Sequence, residues 1–429
     1  MPQTHLRRRA ALARLSHLLV LALAITLAIP APVHAAQFHD SKKGLQVQMV
    51  DDALALGIRH AAINVNLVQL AAEQGNVNSD GMVVDGLNFD FNRHYAEALD
   101  KKIKPLLEHD VIVYLILLAY QSPNKALASE CIHPNSSPAC PSHIGAFNTS
   151  TPQGVGRLRA SITYLAKRYA GKDTAPVHFI VGNEVNSHWF WYNLGEAKMA
   201  DVARDYEHAV RICSQAAACV SPNSRVYLSL DHHWNSSVTP GSPLKSFGAY
   251  EFLLEFARLS QSHGDYDWHL AFHPYPENLF ESRTWNDKQA TQKINTPKIT
   301  FKNIEFLNGF MKSAEMLHNG KPRRIILSEQ GFHSNATPQG EIVQAAAYAY
   351  SYKKIEELDG IDAFILHRHV DNKHEGGLSL GLWTGDGDNL PVKQKMIYNV
   401  FKQADTSDWS EAFKFALPII GVGSWAEIK

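Results

Sequence analysis

The chain is poor in several things that would narrow its class. It has only four cysteines in 429 residues, and neither Cys131 with Cys140 nor Cys213 with Cys219 has the C-x-x-C spacing of a metal or redox site. No G-x-G-x-x-G and no Walker sequence follows any β-rich run, so a nucleotide-binding doubly wound sheet lacks its signature. Excess charge is missing too: the formal net charge is -1, which gives no basic surface for nucleic acid or an anionic membrane. There is no tandem repeat, no low-complexity linker, and no apolar run near the roughly 20 residues needed to span a bilayer.

The longest apolar run, Leu18 to Ile29, follows Arg7, Arg8, Arg9 and Arg14 and precedes Val33-His34-Ala35. A basic start, a short apolar centre and small residues make a signal peptide over residues 1–35, with no stable membrane association after its removal. The expected mature chain is then a single domain over 36–429, secreted or periplasmic. In an exported chain, cysteines at short separations favour local disulfides within each pair, with free thiols as the other reading for Cys213 and Cys219.

Beyond residue 58, short β-branched or aromatic runs alternate with amphipathic segments. The runs lie at 61–67, 111–118, 177–184, 225–231, 268–273, 323–329 and 361–367. Leu158, Ile162, Leu165 and Tyr169, and again Ile304, Leu307, Met311 and Ala314, fall at helical spacing, the second series stopping at Gly320. A helix over 51–56, ending at Gly57, precedes the first run. One more strand within 37–50 completes eight units, although Lys42, Lys43 and Gly44 make poor strand formers. The expected fold is therefore α/β, a (β/α)8 barrel with long loops at 121–154, 274–297 and 368–391 on its C-terminal face. Asp85-Gly86 between apolar runs predicts a hairpin over 82–91.

Two strands end in glutamate: His178-Phe-Ile-Val-Gly-Asn183-Glu184 and Arg324-Ile-Ile-Leu-Ser328-Glu329. Retaining glycosidic cleavage needs one carboxyl to protonate the leaving oxygen and another, about 5–5.5 Å away, to attack the anomeric carbon. Strand ends facing each other across a barrel mouth can hold that gap. Asn183-Glu184 on the fourth strand, His273-Pro274-Tyr275 on the sixth and Ser328-Glu329 on the seventh resemble the clan-A retaining glycoside hydrolases. The chain is also similar, through Val181-Gly-Asn-Glu-Val-Asn-Ser-His-Trp189 and Ser328-Glu-Gln-Gly331, to a poorly characterised family of secreted bacterial proteins. The clan resemblance implies Glu184 as acid/base, Glu329 as nucleophile, Asn183 on the sugar 2-hydroxyl and Tyr275 orienting the nucleophile, with a carbohydrate substrate and no cofactor.

On that reading, repulsion from Glu329 raises the pKa of Glu184, and hydrogen bonds from Tyr275 keep Glu329 ionised. Aromatic rings can cover the apolar faces of sugars, so Trp189, Trp191, Trp234 and Trp383 are candidate platforms, with packing between loops as the other reading for each. His232, His273 and His367 are candidate sugar contacts. Two other classes stay open: a carbohydrate-binding barrel without catalysis, and a zinc hydrolase using strand-end imidazoles such as His367 and His369.

Overall fold

A computed structural model describes residues 40–171 and 176–428. The expected signal peptide at 1–35 lies outside the described residues. No described helix is long and apolar enough to cross a membrane.

Eight parallel strands close into a barrel: β1 (Lys43–Gln46), β2 (His60–Asn66), β3 (Ile112–Leu118), β4 (His178–Val181), β5 (Val226–Asp231), β6 (Trp268–His273), β7 (Ile325–Gln330) and β8 (Ile361–Leu366). Each is followed by a helix: α1 (Val50–Ala55), α2 (Arg93–Glu108), α3 (Pro152–Arg168), α4 (Met199–Val220), α5 (Ala249–Ser262), α6 (Ile304–Phe310), α7 (Pro338–Glu356) and α8 (Met396–Gln403). The expected (β/α)8 architecture is thus present. Its first strand lies in the predicted window despite its weak composition, because pairing on both edges, Leu45 with Ala61 and with Leu366, replaces intrinsic propensity. Gly44 is needed there: a Cβ would stand 2.9 Å from both His60 and Ile365 side chains.

Side-chain alternation divides the interior into two layers. Ile116, Ile180, Tyr227, Ala271, Ile326 and Ile365 point inward and plug the barrel, while Leu115, Phe179, Leu228, Leu270, Leu327 and Phe364 point outward beneath the helices. The helix starts are written locally. Thr-Pro-Gln-Gly opens both α3 and α7, with Thr151 and Thr337 accepting from the N–H of Gly154 and Gly340, each at 3.0 Å. Glycine closes the motif because the incoming loop passes over the first turn. A Cβ would lie 2.3 Å from the Asn148 carbonyl in one case and 1.6 Å from that of Ser334 in the other.

The hairpin is also present, Ser79–Val84 pairing with Leu87–Asn92 across Asp85 and Gly86, both at positive φ. The helix expected to run from Ile304 beyond Met311 is shorter. It ends at Phe310, directly after Gly309, and the chain continues through a 3-10 turn at Ala314–Met316.

The expected disulfides are absent. All four cysteines are free. Cys213 and Cys219 both lie on α4, where six residues rotate the side chain to another face and separate the Cα atoms by about 9 Å, too far for a bridge. Cys131 and Cys140 instead turn toward different carbonyls, those of Leu67 and Phe190.

Candidate active site

Beyond β4 the backbone enters the left-handed region at Gly182 (φ +72°) and again at Glu184 (φ +41°, ψ +52°). For a residue with a Cβ this conformation costs of order 1–3 kcal/mol, and the neighbourhood holds it there. The Glu184 N–H donates to Ser229 Oγ at 3.0 Å, and its carbonyl accepts from the Ser187 N–H at 2.8 Å within the turn Val185–Ser187. Its side chain keeps 14% of its surface exposed, enough for a ligand to reach.

Glu184, Glu329 and His273 converge over the barrel mouth. One oxygen from each carboxylate and one imidazole nitrogen lie within 4.8 Å of one another. His273, on the end of β6, spans Glu184 Oε1 at 2.9 Å and Ser328 Oγ at 3.0 Å. The Tyr275 hydroxyl donates to Glu329 Oε1 at 3.2 Å.

The two glutamates are driven in opposite directions. Burial, the largest influence, raises the pKa of Glu184 above the usual carboxylate value; the hydrogen bond from His273 opposes it, and the charges of Asp231 and Glu329 add to it. Burial pushes Glu329 the same way but is outweighed by the charges of His367 and His273, the Tyr275 hydrogen bond and the Arg368 charge, so its pKa is lowered. Both shifts run in the direction expected from the sequence, but their main causes are different. Repulsion from Glu329 is the smallest of the named influences on Glu184, and Tyr275 is not the strongest support for ionised Glu329.

His273 is raised as well. Burial opposes this, while the bond to Glu184 and the charges of Glu329, Glu184 and Asp231 prevail. Both of its ring nitrogens are engaged, so it ties Glu184 to Ser328 on β7. His367 is similarly engaged, with Gln46 Oε1 on one nitrogen and Glu375 Oε1 at 2.8 Å on the other.

The remaining candidates separate. Asn183 is half-buried beside Glu184. Trp191 is 36% exposed on the short helix His188–Trp191, and Trp189 is half-buried with Lys245 Nζ 4.4 Å from its ring centre. His232 is buried against the His233 ring, and neither of its nitrogens has a partner. Trp383 commits its indole N–H to Asp52 at 2.9 Å and its ring to Tyr398. Trp234 is no platform: it is fully buried among Tyr250, Phe306 and Phe310, because the chain turns inward after β5 to pack on α5 and α6.

His369 bonds to Asp52 and His367 to Gln46 and Glu375, and among the described residues the one metal-capable trio is Glu184, His273 and Glu329. Two functional candidates escaped the sequence reading. Asp231 closes β5 beside His232, where a strand-ending carboxylate is the same signal that marked Glu184. Glu375 lies inside a long loop, and nothing in its local pattern marks it.

The model of "Family of unknown function (DUF5722)" matches residues 35–428. No functionally curated protein matches the sequence. Among solved structures, a hyperthermophilic β-glucosidase from Pyrococcus furiosus is similar at 16% identity and a TM-score of 0.54, over 86% of this chain and 86% of that one. A glucosidase from Croceicoccus marinus is similar at 10% identity and a TM-score of 0.54, over 87% and 68%. A family 39 glycoside hydrolase from Bacteroides cellulosilyticus WH2 gives 14% identity and a TM-score of 0.49, and the chain spans 64% of its length. At these identities the likeness is one of fold.

Proposed function

The chain belongs to the DUF5722 family, and from that premise we propose that it is a retaining glycoside hydrolase acting on a β-linked oligo- or polysaccharide outside the cytoplasm. The observation that carries this is the pairing of Glu184 with Glu329: two carboxylates, one just beyond β4 and one on β7, with oxygens within 4.8 Å and pKa values displaced in opposite directions. An inverting enzyme leaves about 6.5–9.5 Å between its carboxyl groups for a water. The β-linkage rests on the clan resemblance and on the β-glucosidase among the similar structures, and the location on the basic and apolar segment at the N-terminus.

In the first step a Glu329 oxygen attacks the anomeric carbon as the bond to the leaving oxygen breaks, and that oxygen takes the Glu184 proton. In the second, water gives a proton to Glu184 and its oxygen displaces Glu329 from the sugar, restoring both residues. Ester formation neutralises Glu329, which removes one of the charges raising the pKa of Glu184 and prepares it to act as a base.

A mechanism-based 2-fluoro glycoside labels Glu329 in the wild type and not in Glu329→Gln, which has no turnover. Glu184→Gln turns over slowly and is partly restored by azide. Unchanged hydrolysis in both variants refutes the mechanism, and a chain that binds sugar but hydrolyses no member of a β-glycoside panel is a lectin-like barrel.

A further inference from the structure

Asp231 ends β5 in register with His273, whose Nδ1 is 2.9 Å from the acid/base. On its other side it meets the turn that follows Glu184. Asn186, fully buried, donates to Asp231 Oδ1 at 2.7 Å and accepts the Asp231 N–H at 2.9 Å. The Ser187 hydroxyl donates to the second oxygen, Oδ2. His233 adds its N–H at 2.8 Å and its Nδ1 at 3.2 Å, both to Oδ1. Two successive residues after the acid/base are thus fastened to one carboxylate. This is the segment that must keep Glu184 in left-handed backbone.

We infer that Asp231 is the positioning residue of the acid/base, clamping the turn Val185–Ser187 and setting a fixed negative charge close to Glu184 and His273. The role rests on the function proposed above. The charge is permanent: burial opposes ionisation, but the His233 hydrogen bond and charge, with the Ser187 hydroxyl, hold the Asp231 carboxyl well below the usual range. It acts on Glu184 more strongly than Glu329 does. The groups facing Asp231 are His232, His233 and Lys298 on one side and Glu184 and His273 on the other. Clamp and charge therefore work together: the first fixes where the Glu184 proton is presented, the second keeps the proton in place until the leaving oxygen takes it.

Asp231→Asn separates the two. It is isosteric, Oδ1 can still accept from Asn186 and His233, and the Ser187 hydroxyl can turn to accept from the new amide. The expected result is a fall of about tenfold in kcat/KM on a 4-nitrophenyl β-glycoside, with the basic limb of the pH profile moved down by about one unit, because removing a negative neighbour makes Glu184 lose its proton sooner. Asp231→Glu keeps the charge but breaks the clamp, so kcat falls while the basic limb stays in place. Carboxyl carbon NMR of the full chain reads the same effect without substrate: the Glu184 midpoint falls in Asp231→Asn. An unmoved midpoint and limb overturn the proposal. If that variant does not fold, the wild-type titration decides, since an Asp231 that gains its proton at a higher pH than Glu184 cannot be the fixed charge. Absence of wild-type hydrolysis would count against the proposed function, while the Glu184 titration would still judge the charge that Asp231 sets on Glu184.

Discussion

His269 and His273 stand on the same strand, β6, four residues apart, and face the same interior, yet their surroundings treat them oppositely. At the floor, His269 and His178 pack around Tyr227 with Asp362 close by. The carboxylate of Asp362 is already taken, by Arg225 at 2.9 Å and by a forked contact from Arg324. Burial first, and then the Arg225 charge, keep both floor imidazoles well below their ordinary pKa. At the mouth, Glu184 has no guanidinium and shares His273, while Glu329 meets Arg368 only as a more distant charge, since Arg368 bonds to Glu375. His273 is therefore raised. Residue type does not distinguish the two ends; prior neutralisation of the carboxylates does. At the floor the carboxylate is fully paired and the imidazoles stay neutral, whereas at the mouth the carboxylates keep only an imidazole and a hydroxyl as direct partners.

Three experiments bear on this contrast. Asp362→Ala removes the carboxylate shared by Arg225 and Arg324. It is expected to cost about 3–5 kcal/mol in chemical denaturation while leaving kcat per folded molecule unchanged; a comparable loss of kcat would show that the ends are not separate. His273→Gln should do the reverse, lowering kcat about a hundredfold with a melting temperature close to wild type, because it removes a charge from Glu329 and the orienting bond to Glu184. The smallest effect concerns pH. The floor imidazoles have folded pKa values below the unfolded value near 6.5, so between those values the unfolded chain binds more protons. Stability then rises with pH and is lost as pH falls below about 6.5. His269→Gln should weaken that acid loss by about 1 kcal/mol between about pH 7 and about pH 5. No change in the slope would mean that the floor imidazoles are not the source.

Most of the barrel was legible in the sequence because seven of its strands carry their own apolar pattern, and the proposed catalytic pair because Asn183-Glu184 follows β4 directly and Ser328-Glu329 lies at the end of β7. What was not legible depends on where side chains meet. His178 and His269 sit near strand starts and His273 at a strand end, a difference of position that composition does not display. Trp234 looked like a mouth residue because it follows β5 directly, and only the inward turn of the chain hides it. The cysteine spacings suggested bridges, but a helix had already placed Cys213 and Cys219 on different faces.

The left-handed backbone at Glu184 has an evolutionary side. Glycine at that position would relieve about 1–2 kcal/mol of steric conflict, so the chain could gain heat resistance by discarding its proposed proton donor. A laboratory screen for thermal survival alone would be expected to enrich inactive descendants changed at this codon, whereas a screen for turnover would hold the glutamate in place against that drift.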